Sequence, residues 1–115
     1  MEPNIGHGQG LFCWGYDTVL VEECIFYRNG WNPPTTDATL FNHACYFQNA
    51  SRNITVRRNI IIEPSSHGVQ LRGSLSMADN NLFIGCPLAL QMGYGDKVWE
   101  TPDGGASGTF MNNVI

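Results

Sequence analysis

Charge is scarce in this chain: Asp, Glu, Lys and Arg make up 14% of its 115 residues, with six basic and ten acidic side chains. The formal net charge of -4 provides no basic surface for a phosphate backbone, so nucleic acid is not expected as a partner. No run approaches the roughly 18 consecutive apolar residues of a membrane helix, and residues 1–10 have neither the basic start nor the apolar stretch of a secretory leader, so no membrane partner is expected. Cysteine pairs are missing too. Cys13, Cys24, Cys45 and Cys86 form no CxxC and have no metal-like spacing with the three histidines, so they read as small buried thiols, with no metal and no cofactor expected. Nor does any window keep apolar residues at i, i+3, i+4 and i+7 free of Gly, Pro or Asn, which excludes a convincing helix. What remains is a hydrophobic share of 43% and 13 glycines in a chain of single-domain length, the profile of a turn-rich all-β protein.

One phrase recurs. Thr18-Val-Leu-Val-Glu-Glu-Cys24-Ile-Phe26, Asn53-Ile-Thr-Val-Arg-Arg-Asn59-Ile-Ile61 and Leu75-Ser-Met-Ala-Asp-Asn80-Asn-Leu-Phe83 each run from an apolar alternation through a small polar residue to a second apolar pair, and Phe110-Met-Asn112-Asn-Val-Ile115 begins it again. Each phrase is preceded by another strand-like segment: Gly10–Gly15, Ala44–Gln48, Gly68–Gly73 and Leu88–Gly93. These alternate with period two, as half-buried strands do. Taking Cys24, Asn59, Asn80 and Asn112 as landmarks, the shortest interval is the bare unit, and the longer ones carry insertions at 30–42 and 93–108, where prolines and an Asp103-Gly104-Gly105 turn collect. A repeat of about 21 residues built from short strands predicts a solenoid, since one unit cannot bury its own apolar face.

On these residues, above all Asn53-Ile-Thr-Val-Arg-Arg-Asn59-Ile-Ile-Ile62 followed by Ser66-His-Gly-Val-Gln-Leu-Arg-Gly73, the chain resembles the right-handed parallel β-helix proteins of the pectate-lyase-like superfamily. The resemblance implies an all-β solenoid of about four coils over residues 1–115, and part of a longer one. It also implies an asparagine ladder at the turn between second and third strands, to which Asn59, Asn80 and Asn112 are assigned and from which Cys24 departs.

Stacking the first-strand segments in register turns Leu11, Cys45, Val69 and Leu88 inward, with Cys13, Phe47, Leu71 and Leu90 in the next column. The outward columns are then Phe12, Tyr46, Gln70, Ala89 and Trp14, Gln48, Arg72, Gln91, with Gln9, His43, His67 and Cys86 level one step earlier. Such a face has aromatic rings to stack on sugars, amides to bind hydroxyls, and an arginine to grip a carboxylate. The expected partner is a polysaccharide.

The face holds no Asp or Glu, which disfavours hydrolysis between two carboxyl groups and calcium-dependent lysis. Lyase or epimerase action on a uronan needs a cation, a base and an acid, which Arg72, His43 or His67, and Tyr46 would supply; Trp14, Phe12, Gln48, Gln70 and Gln91 would hold the chain. The alternative is a non-catalytic glycan-binding or structural segment of a secreted or cell-surface parent. Uncapped solenoid ends also predict self-association.

Overall fold

The structure, a computed structural model, describes residues 8–31, 41–93 and 104–115. Among them it is all-β: β1 Leu11–Cys13, β2 Asp17–Glu22, β3 Ile25–Tyr27, β4 Cys45–Phe47, β5 Arg52–Arg57, β6 Ile60–Ile62, β7 His67–Leu71, β8 Ser76–Asp79, β9 Leu82–Ile84, β10 Leu88–Met92 and β11 Gly108–Met111. The insertions at 30–42 and 93–108, including Asp37, Asp96, Glu100 and Asp103, lie largely outside the described residues.

The strands form three sheets, ordered β1-β4-β7-β10, β2-β5-β8-β11 and β3-β6-β9, and every pairing is parallel. The chain visits the three sheets in rotation, an arrangement compatible with a parallel β-helix. Short strands can pair in parallel here because each excursion through the other two sheets returns the backbone one level on.

The apolar alternation found in the sequence faces the space between the sheets. Phe47 and Leu71 from the first sheet, Ile54 and Val56 from the second, and Ile61 and Phe83 from the third form one core with Cys45, Val69 and Ala78. Each large side chain among these contributes roughly 1.5–3 kcal/mol by leaving water.

Left-handed backbone recurs at three places per circuit, level by level: Thr18, Asn53 and Leu75 at the start of the second-sheet strands; Glu23, Arg58, Asn80 and Asn112 after them; Arg28, Glu63 and Gly85 after the third. For non-glycine residues this geometry is strained by roughly 1 kcal/mol or more each, so other interactions must hold it. One such interaction is the asparagine ladder, which includes Asn59 as expected but takes Asn81 and Asn113 in place of Asn80 and Asn112. Asn59, Asn81 and Asn113 form it. Asn59 backbone N and Nδ2 both donate to Asn81 Oδ1 at 3.0 Å, and Asn81 repeats both bonds to Asn113 Oδ1. Their Nδ2 groups also reach back to the carbonyls of Val21, Val56 and Ala78. Asn80 and Asn112 are the left-handed residues themselves, exposed, with their amides on Asp79. Cys24 occupies the first ladder position, where its backbone N donates to Asn59 Oδ1 at 3.0 Å.

A second correction concerns β10. Leu88 pairs with His67, Leu90 with Val69 and Gln91 with Gln70, so the strand is two residues out of the expected alignment. The slip moves Gln91 into the column of Tyr46 and Gln70 and puts Leu88, not Cys86, level with the histidines; Leu88, expected inward, is exposed, and Ala89, expected outward, packs in the core.

Candidate functional site

Strict alternation would put His43 and His67 on the core side with Cys45 and Val69. The backbone avoids this by turning two consecutive residues inward at the corner: Ala44 and Cys45 are both core residues, and at the next level Gly68 and Val69 take the same places. Gly68 is required there, because a Cβ would lie 2.8 Å from the Phe83 ring and 2.6 Å from the Ala89 carbonyl. The parity change carries both imidazoles to the outer face, beside Tyr46 and Gln70.

There the two rings meet. His43 Nδ1 lies 2.9 Å from His67 Nδ1, and the ring centroids are 4.5 Å apart at 72°. Ser66 Oγ is also 2.9 Å from His67 Nδ1. Tyr46 packs edge-on against His43 at 5.0 Å and against Phe12 at 5.5 Å, and its hydroxyl donates to Gln48 Oε1 at 2.7 Å. The Arg72 guanidinium lies over the Tyr46 ring, 5.3 Å from its centroid.

Proton positions follow from Arg72, which can only donate. The Gln70 amide oxygen must face it, at 3.1 Å from both Arg72 Nε and NH2, and the amide nitrogen then donates to His43 Nε2 at 3.0 Å. Neutral His43 therefore carries its proton on Nδ1 and gives it to His67 Nδ1. His67 is left with its proton on Nε2, which matches the hydrogen bond between that ring and Gln91. Burial pushes the His67 pKa below its ordinary 6.5; the Gln91 bond opposes it, and the charge of Arg72, the smallest of the three effects, adds to the lowering. The imidazole is thus held neutral near pH 7.

The residues singled out in the sequence fall into three groups by exposure. His43, Tyr46 and Gln70 are buried, at 3%, 7% and 5% exposure, so the expectation of an open strand face does not hold for them. Phe12 and Trp14 stand open at 51% and 55%, and Gln91 is exposed as well. His67, Gln48 and Arg72 are half-buried, the last two standing two residues beyond Tyr46 and Gln70 along the chain. Ser66 was missed, although a hydroxyl directly before His67 is a signal that a search for histidine partners would find. Among the described residues this cluster contains no carboxylate.

Comparison of the chain with protein-family models, with curated proteins and with solved structures finds no match. The chemistry of the cluster therefore stands on its own residues.

Proposed function

We propose that the chain is a right-handed parallel β-helix of about four coils whose first-sheet outer face acts on an acidic polysaccharide, a uronan, by lyase or epimerase chemistry. The observation that carries this reading is the convergence of Arg72, His67 and Tyr46 in one network that holds no carboxylate among the described residues.

Removing the proton beside a uronate carboxylate builds negative charge on that carboxylate, and Arg72 is the cation that would stabilise it. His67 is the base: for its Nδ1 to take the substrate proton, the Ser66 hydroxyl and the His43 Nδ1–H that share its lone pair would both have to withdraw, because two protons do not fit between the rings. Tyr46 would return a proton to the leaving oxygen in a lyase, or to the opposite face of the sugar in an epimerase. Phe12 and Trp14 offer ring faces for the pyranose, and Gln48 and Gln91 offer amides for its hydroxyls.

The test is incubation with alginate, pectate and glycosaminoglycans, following absorbance from new C=C bonds and, for epimerisation, deuterium uptake at the proton-bearing carbon in heavy water. Turnover that falls at least a hundredfold in Arg72→Ala and in His67→Ala is expected; undiminished turnover in either variant overturns the assignment. A second reading, glycan binding without catalysis, is favoured by the contrast between open Phe12 and Trp14 and buried His43 and Tyr46. It expects retention on a glycan gel, lost in Trp14→Ala, with neither optical nor isotopic change.

A further inference from the structure

The third sheet is apolar on both sides. Its inward column is Phe26, Ile61 and Phe83, packed in the core. Its outward columns are equally apolar: Ile25, Ile60, Leu82 and Val114 in one, Tyr27, Ile62 and Ile84 in the other. Ile25 is 69% exposed, Tyr27 62%, Val114 61% and Ile84 45%, and no charged side chain interrupts the two columns. Two adjacent apolar columns form a contiguous outer patch, not the singly scattered apolar residues of an ordinary surface, and such patches mark contact sites.

The corners on either side carry charge in a fixed order. After the second sheet the levels read Glu23 then Arg58, which form an ion pair at 3.2 Å. After the third they read Arg28 then Glu63, paired at 3.7 Å. At the first level the corners are therefore negative on one side and positive on the other, and at the second level the signs are exchanged.

From this we propose that the outer face of the β3-β6-β9 sheet is the contact surface of a twofold-symmetric dimer, its occupant a second copy of the chain. A twofold axis between the faces, running along the stacking direction, sets the corner after the second sheet of one copy against the corner after the third sheet of the other, at the same level. Glu23 then meets Arg28 of the second copy and Arg58 meets its Glu63, each pair twice, so that every cross-contact joins opposite signs and completes a four-charge alternating cluster. Exposed pairs of this kind add little affinity, but they select this register over slipped ones.

The area is sufficient. The outward side chains expose roughly 500–600 Å² per copy, at the top of the range for the largest apolar patch of a monomer, where such patches are often functional. Two such faces together cover on the order of 1,100 Å², at the lower edge of a specific interface. The contact is lateral and leaves the first-sheet outer face open, so it does not depend on the glycan reading.

The experiment is sedimentation velocity of the intact chain from micromolar to millimolar concentration, with far-UV circular dichroism to check the fold of each variant. A concentration-dependent dimer is expected, with a Kd raised at least tenfold by Ile84→Lys. Arg28→Glu alone and Glu23→Arg alone each oppose like charges twice across the interface and weaken the dimer. In an equimolar mixture of those two variants both cross-contacts again join opposite signs, and association is restored as a heterodimer. A monomer throughout the concentration range, a dimer indifferent to Ile84→Lys, or a mixture no tighter than its components overturns the proposal. So does a monomer that binds phosphatidylcholine vesicles through this face, with binding lost in Ile84→Lys.

Discussion

His43 and His67 are separated by 24 residues in sequence and by 2.9 Å between their Nδ1 atoms. Only one proton fits between two neutral imidazoles at that distance, and the pair sits in a partly desolvated site beneath Arg72. His67 titrates below its ordinary value of 6.5 because burial and Arg72 disfavour its charged form. A histidine with a lowered folded pKa contributes stability that is fully present above the unfolded value and is lost as pH falls through the folded one. Thermal melts should therefore be flat from pH 8 to about 7 and decline below 6.5, and His67→Gln should flatten that decline. An unchanged slope in the variant would remove His67 as its source.

The displaced ladder makes a paired prediction. Asn81 accepts from Asn59, donates to the buried Val56 carbonyl and bonds Asn113, so Asn81→Ala leaves several buried groups unpaired. A loss of about 2–4 kcal/mol in urea unfolding is expected. Asn80→Ala, one residue earlier and exposed, removes only a bond to Asp79 and should cost about 1 kcal/mol through its left-handed backbone. Equal costs at the two positions would contradict the ladder.

Extending the ladder is the converse. Asn in place of Cys24 adds an amide whose Nδ2 can donate to Asn59 Oδ1, as Asn59 does to Asn81. Cys24→Asn should stabilise the protein by about 0.5–1.5 kcal/mol, measured by the urea midpoint at unchanged m-value.

Gly68→Ala should be among the costliest small substitutions. The added methyl meets the Phe83 ring and the Ala89 carbonyl at distances no Cβ tolerates, so the corner must shift. About 1–3 kcal/mol of destabilisation is expected. Because that corner carries His67 outward, the histidine ring NMR signals should move as well; unmoved signals would separate the corner from the site.

Much of this was readable from the residues in order. The period-two alternation of Ile54 and Val56 against their polar neighbours Asn53, Thr55 and Arg57 marks core-facing positions wherever parallel strands stack, because side chains in a strand alternate regardless of what they meet. The repeat phrase likewise put Phe12, Tyr46 and Gln70 in one column. Two details went astray for identifiable reasons. The Asn80-Asn81 and Asn112-Asn113 doublets each offer two candidates for one ladder position, and only Arg58-Asn59, with a single asparagine, distinguishes them. β10 slid by two residues because Leu88, Leu90 and Met92 alternate equally well at either setting.

Pattern alone determined an all-β chain of short stacked strands and the chemical kinds of side chain that share its faces, since alternation and turn residues are local properties of the backbone. Tertiary packing decided the rest. The double inward step at Ala44-Cys45 and Gly68-Val69 brings the imidazoles into contact on the outer face, and neighbouring levels bury His43 and Tyr46 while leaving Trp14 open. These outcomes depend on distances between residues some twenty or more positions apart, which the order of amino acids does not set until the core has closed around Phe83.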